Sequence, residues 1–321
     1  MSKAPTQDGH PKARCRTRNW CEYDRALITR GDLTVCISPD VAWHAAKGTG
    51  KRGRLPVFLD AAIQCVLTLK VLYRLPLRAA QGMARSLIWL AGLDRLVPHY
   101  RTLSRRQHSL KVAISCHARG GPLPLVIDST RLKMLGEGEW KVWKHGVDKR
   151  RVWREVHLVI DADSHEVPAV EMTDHRHGDG EIVPGLLAQL HPEEQIGIIS
   201  GDGADDTRGV YEASAARGAA LVVPRRHNGK PWKVHTTGAV ERNESLHAIE
   251  HLGRRFWKRW SGDHRRSLSE TVMSRLKRLG ERLSARDPVR QVAEVQIRCA
   301  ILNTFNAFGM PDIVACTRPK R

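Results

Sequence analysis

The chain has 321 residues, more than a typical domain of roughly 100–200, so it can bury a real core in one large domain with an appendage or in two unequal domains. Lysine and arginine number 53 against 34 acidic residues, a net charge of +19 carried in clusters (Lys51-Arg52, Arg105-Arg106, Lys149-Arg150-Arg151, Arg225-Arg226, Arg254-Arg255, Arg265-Arg266), which makes a polyanion the expected partner and nucleic acid the first choice. Seven cysteines without a Cys-x-x-Cys pair exclude a disulfide framework and a zinc ribbon, and a polar start (MSKAPTQDGH) with no apolar run near the roughly 18–20 residues of a membrane span places the expected encounter in the cytoplasm, away from any membrane.

Residues 1–20 read as a flexible basic arm carrying Lys12, Arg14, Arg16 and Arg18, with an ordered start near Trp20; this arm and its lead-in occupy residues 1–50. Residues 51–118 read as a small all-α unit. FLDAAIQCVLTLKVLY repeats apolar residues at three-to-four spacing, Pro76 opens LPLRAAQGMARSLIWLAGL, and Pro98 breaks the chain before YRTLSRRQHSL. Thr102 or Ser104 can cap a short last helix with Arg105, Arg106 and Gln107 in its first turn, the build of a recognition helix whose N-terminal end enters a DNA groove. A plain bundle with a solvated basic end explains the same residues.

At Gly120 the pattern changes. PLPLVIDST is a short apolar run; VWREVHLVIDAD and HEVPAVEMTD are strand-like and joined by the turn at Ala162-Asp163-Ser164. A helix over 178–190, the strand IGIIS, a helix through YEASAARGA and the strand ALVVP follow, and residues 239–305 read as helices. The expected class is α/β: a mixed sheet flanked by helices over residues 119–308, antiparallel at one side and parallel at the other, with a basic tail at 309–321.

Asp128 and Asp202 each end an apolar strand run, where open α/β sheets form their crevices. Either alone reads equally well as the cap of the turn that follows, and Asp206 reads as a helix-start residue. On a helix from Ser267 to Leu279, Arg266, Glu270 and Lys277 fall within roughly 40° of one another, opposite Leu268, Val272, Leu276 and Leu279. That polar trio is an ordinary solvated face, or a carboxylate ligand flanked by phosphate-binding cations. Three convergent carboxylates suit hard ions, magnesium with manganese as substitute, and two such ions roughly 3.5–4 Å apart can stabilise the attacking and leaving oxygens of a phosphoryl displacement. No GxxxxGK[ST], HExxH or serine-elbow pattern competes with this reading. Trp232, Trp257 and Trp260 lie in basic stretches (RRHNGKPWK and RRFWKRW); core packing is expected for the latter two, and base stacking for Trp232.

These residues resemble the DDE transposases of bacterial insertion sequences, specifically the group named after insertion sequence five. The resemblance spans nearly the whole chain: NWCEYDRALITRGDL, AAIQCVLTLKVLYRLPLRAAQGMARSL with TLSRRQ, IDST, WKHGVDKRRVWREVHLVIDADSHEV, IISGDGADDTRGVYEASAARGA, RNESL, FWKRWSGDHRRSLSETVMSRLKRLGERL and RQVAEVQIRCAILN. It implies an RNase-H-like core, a catalytic and metal-holding triad of Asp128, Asp202 and Glu270, and an Arg-x3-Glu-x6-Lys signature of Arg266, Glu270 and Lys277. It further implies a nucleoid-associated bacterial enzyme that works as a homodimeric synapse on double-stranded DNA, both terminal inverted repeats and target. Arg105, Arg106, Arg225, Arg226 and Trp232, with Arg266 and Lys277, are the expected DNA contacts. Two positions depart from the family pattern, which usually has tyrosine where Asp205 and Asp263 stand. The alternative function is therefore an impaired or domesticated copy that binds DNA without cutting it.

Overall fold

The computed structural model describes residues 14–32, 41–45, 57–117, 120–134, 153–174, 176–226 and 228–316. The basic clusters at 51–52 and 149–151 lie outside these residues, as do the first thirteen residues of the expected arm and the last five of the tail. The centre is a six-stranded sheet of β2 (Leu123–Met134), β3 (Trp153–Asp161), β4 (Ala169–Thr173), β5 (Ile196–Ser200), β6 (Ala220–Val222) and the short β7 (Arg282–Leu283). Strand order is β4-β3-β2-β5-β6, with β7 on the far end of β2. β2, β3 and β4 form an antiparallel meander, whereas β5 runs parallel to β2 and β6 parallel to β5, so the sheet is mixed as its strand runs predict.

Alternation along the strands sets the two faces. Val126, Leu132, Leu158 and Ile160 point to one side and pack on α9 (Leu268–Leu279) and the long α10 (Pro288–Phe308) through Val272, Leu276, Val295 and Cys299. Leu125, Ile127 and Val159 point to the other and pack on α5 (Asp179–Ala188) and α6 (Arg208–Ala216) through Val183, Leu186 and Val210. Helix α10 opens with Asp287 accepting from Arg290 N and a proline in its first turn, a favourable start for a helix that packs along β2, β3 and β4. Its Asn303 is buried yet satisfied: it donates to Val167 O (3.0 Å) and accepts from Val167 N (2.7 Å), fastening the β3–β4 hairpin.

The helices of the first half are α1 (Trp20–Thr29), α2 (Asp60–Leu72), α3 (Leu77–Leu90) and α4 (Tyr100–Arg106). The breaks at Pro76 and Pro98 fall where expected. The cap does not: His99, three residues before Thr102 and five before Ser104, accepts from Arg101 N and starts α4, which moves Arg105 and Arg106 from a first turn to the last. Nor do these helices keep a separate core, because Ile63, Leu67 and Ala80 share one apolar cluster with Ile297 and Ile301 of α10. Arg14–Thr17, inside the expected arm, is strand β1, paired antiparallel with β8 (Ile313–Cys316) near the other end of the chain. No local pattern announces a partner as far along the chain as Ile313 is from Thr17. No helix among the described residues is long and apolar enough to cross a membrane.

Candidate active site

β2 does not end at Asp128. It continues to Met134 because β3 pairs along its length, with Asp128 opposite Leu158; it is β5 that stops, its last partners being Val126 and Ser200. Asp128 and Asp202 each stand two residues beyond that pair, Asp128 still within β2 and Asp202 in the turn that leaves β5. Asp128 shares the parity of Val126 and so faces α9.

Asp202 is the N-cap of a 3-10 turn at Gly203–Asp205. Its Oδ1 accepts from Ala204 N (2.6 Å), while Asp205 Oδ2 accepts from Asp202 N (3.0 Å), a reciprocal cap that fixes both carboxylates. Gly201 permits it, since a Cβ there would collide with the Asp205 carboxylate. Capping and catalysis are not exclusive here: Asp202 does the first, and its second oxygen is left for another partner.

Two arginines hold the loop from behind. Arg226 donates to Gly203 O (3.2 Å) and Ala204 O (2.9 Å). Arg242, on α7 (Ala239–Leu252), grips Asp206 through Nε (2.6 Å) and Nη2 (2.9 Å) with both side chains almost wholly buried. Asp206 is thus an internal anchor rather than the helix-start residue its sequence position suggests.

The third wall is the start of α9. Ser269 Oγ donates to Asp128 Oδ2, and Arg266 Nη1 lies 3.6 Å from the same oxygen. Both residues flank Glu270 by one turn or less, so the turn that carries Glu270 is moored to Asp128. Glu270 itself is exposed and lines a groove with Lys277, Met273, Ser274, Arg278 and Glu281. Of the expected Arg266/Glu270/Lys277 face, Glu270 and Lys277 share this groove, whereas Arg266 lies in a 3-10 turn (Asp263–Ser267) ahead of α9 and turns to Asp128; Val272 and Leu276 are buried.

Electrostatics mark the crevice. Burial, followed by the neighbouring Asp202, Asp179 and Asp128 carboxylates, pushes the Asp205 carboxyl up to about 7, against the pull of its bond from Asp202 N. Its Oδ1 is buried with no hydrogen-bond partner among the described residues. Asp179, at the start of α5, is held below the usual carboxylate range, first by its bond from the buried His157 and also by one from Ser129. Three carboxylates thus bear on that of Asp205 at one strand end, all hard oxygen donors, which is the chemistry that fits a divalent cation. Among the described residues no three of them are yet close enough together to hold an ion. The donor type fits at Asp128 and Asp202, and Glu270 has to swing inward to join them.

The other expected DNA contacts are placed as follows. Arg105 is exposed, whereas Arg106 is committed to Asp60 and Phe58 O (3.0 Å). Arg225 pairs with Glu250 (3.2 Å) and Arg226 serves the Asp202 loop. Trp232 meets Tyr211 edge-on (5.1 Å between centroids) and has Arg242 over its ring (4.3 Å). Trp257 is buried as expected, but Trp260 is 69% exposed, so the expectation of core packing fails for it. It lies one turn from Phe256, also exposed, on the short helix α8 (Arg254–Ser261). Asp263 is 2% exposed and 3.5 Å from Lys258. Sequence reasoning passed over Asp179 and Ser269; a first-turn acid and a serine one residue before Glu270 carry no signal of their own until the sheet register is known.

Two family models match the chain, both described as Transposase DDE domain: one over residues 28–137, the other over 119–304. Among solved structures, the chain is similar to one in the cryo-electron microscopy structure of the simian T-cell lymphotropic virus intasome in complex with PP2A regulatory subunit B56 gamma, at 15% identity over 62% of this chain and 68% of that one, with a TM-score of 0.24. A superposition that loose carries no weight, and the strand order stands without it. The second family match covers more than half of the chain, from before β2 to within α10, and contains Asp128, Asp202 and Glu270 alike; the chain belongs to the transposase DDE domain family.

Proposed function

We propose that the chain is the DNA transposase of a bacterial insertion sequence of the group named after insertion sequence five, binding terminal inverted repeats and catalysing metal-dependent strand cleavage and strand transfer. The observation that supports it most is that Asp128 and Asp202 each follow the last β2–β5 pair by two residues, with Ser269 and Arg266 mooring the Glu270 turn to Asp128. A three-stranded meander followed by two parallel strands on its first member is the layout of an RNase-H-like core, which this reading adopts.

Asp128, Asp202 and Glu270 would hold two magnesium ions, or manganese, which when bound supply Lewis-acid stabilisation to the attacking and leaving oxygens of an in-line displacement. The chain's own residues do the rest. Arg266, beside Asp128, and Lys277, in the groove with Glu270, suit the oxygens of a scissile phosphate. Arg226 and the Asp206–Arg242 pair keep the Asp202 loop from moving as DNA enters. The helices of the first half supply end binding, Arg105 and the stacked Trp232 edge contribute DNA contacts, and a homodimer holds two ends together with target DNA.

The test is cleavage of a duplex bearing the element's ends in magnesium. Asp128→Asn and Glu270→Gln should each abolish cleavage while leaving end binding in place; cleavage retained in both would remove the site. A second reading, a copy that binds without cutting, is favoured by Asp205 and Asp263, each with a buried oxygen lacking a hydrogen-bond partner among the described residues. It predicts sequence-selective, salt-sensitive binding and no nicking by the wild-type chain at any magnesium concentration.

A further inference from the structure

Three arginines from two helices converge on one concavity of about 530 Å³ between the start of α3 and the outer face of α4, lined by Arg78, Tyr100, Arg101, Ser104 and Arg105. Arg101 and Arg105 stand one turn apart on α4, and Arg78 reaches across from the first turn of α3. The Arg78 guanidinium lies 4.7 Å from the centre of the Tyr100 ring and that of Arg101 5.9 Å, so the aromatic ring spaces two planar cations that would otherwise repel. All three arginines are exposed, and none pairs with a carboxylate among the described residues. This separates them from Arg106, Arg225, Arg242 and Arg298, each committed to an internal acid. The neighbouring Arg78 and then Arg101 guanidiniums also hold the Tyr100 hydroxyl below the usual phenol range.

We infer that the Arg78–Tyr100–Arg101–Arg105 pocket is a docking site for the phosphodiester backbone of duplex DNA. Forked guanidiniums match phosphate oxygens in pairs, and Ser104 and Tyr100 add hydroxyls at the same depth. Such contacts carry no base information; they set where the duplex lies on α3 and α4. The inference rests on the reading of the chain as a DNA transposase and replaces the Arg105-Arg106 pair with Arg78, Arg101 and Arg105 as the cationic group.

The test is fluorescence anisotropy of the full chain on a duplex of about three helical turns, with element-end sequence and with scrambled sequence, over a salt series. Each lost phosphate contact lowers the log–log salt slope by about 0.9, so Arg78→Ala/Arg101→Ala/Arg105→Ala should flatten it by roughly two to three on both duplexes, a loss on the order of several hundredfold at 0.1 M salt. Arg78→Lys/Arg101→Lys/Arg105→Lys keeps the charge and should retain most of the slope, which also covers the case of an alanine variant that folds poorly. Arg25→Ala/Arg176→Ala/Arg286→Ala removes equal charge from other exposed positions and should flatten the slope by less than one. An unchanged slope in the alanine triple, or an equal loss in the matched control, overturns the pocket while leaving the transposase reading intact. A wild-type chain without salt-dependent affinity for either duplex overturns both.

Discussion

Asp206→Ala is the sharpest probe of how the candidate site is held. Arg242 and Asp206 form a two-point ion pair at 2.6 and 2.9 Å with side chains only 5% and 2% exposed, and Asp206 also accepts from Arg226 N (3.2 Å). Removing the carboxylate strands a guanidinium in a site with almost no water, which costs about 3–5 kcal/mol. In a domain of 150–250 residues each kcal/mol moves the melting temperature by about 2–4 °C, so a fall of roughly 6–20 °C is expected in a calorimetric scan. Removing both charges, Asp206→Leu with Arg242→Met, should recover most of the loss, because apolar replacement of a buried pair is often neutral. Recovery stops short of complete, since Arg242 also donates to Lys230 O (2.8 Å) and covers the Trp232 ring. The cycle of the two single variants and the double reads the coupling directly. A melting temperature lowered by less than about 2 °C in Asp206→Ala, or a double variant no better than the sum of the singles, would refute the buried-pair argument.

In metal-free buffer the Asp205 carboxyl keeps its proton in the folded chain up to about pH 7, whereas the unfolded chain releases it near its ordinary value of 3.8. The folded state then binds more protons at this group between those values, so the contribution of Asp205 to stability is fullest below about pH 4, declines as pH rises toward 7, and levels off above it, with a depth of up to about 4 kcal/mol. Asp205→Asn should abolish this slope and be the more stable protein at pH 8 in urea titrations; parallel curves for the two proteins would remove the carboxylate-repulsion account. Gly201→Ala should lower stability and impair cleavage together, because its methyl displaces Asp205 and with it the cap on Asp202; a fully stable and active variant contradicts that placement. Arg106→Ala should cost about 0.5–1 kcal/mol through loss of the half-exposed Asp60 pair and leave the salt slope of DNA binding unchanged, against a marked flattening for Arg105→Ala.

The mixed sheet was readable because its strands are local apolar runs with period-two alternation, and the helices at 60–72, 77–90 and 268–279 because proline and three-to-four spacing bound them. What local pattern cannot carry is pairing at long range. β2 looks finished at Asp128 because polar residues follow, yet β3 holds it extended to Lys133 and β7 to Met134, and only the shorter β5 leaves the carboxylate at an open edge. The β1–β8 pairing is hidden for the same reason. Site residues divide likewise. The Glu270/Lys277 side of α9 follows from helical geometry alone, whereas the roles of Arg106, Arg226 and Arg266 depend on Asp60, on two carbonyls and on Asp128, which no spacing connects to them. Trp260 shows the converse limit: a tryptophan in a basic amphipathic helix reads as core by its hydrophobicity, and exposure depends on which face the helix turns inward.

Crystals of the chain with an element-end duplex and manganese, measured at the manganese absorption edge, would test the carboxylate site most directly. Anomalous peaks ligated by Asp128, Asp202 and Glu270 are the predicted result, with Glu270 turned in from its groove. Peaks seated elsewhere, or at this crevice without Glu270 while the scissile phosphate is present, would contradict it.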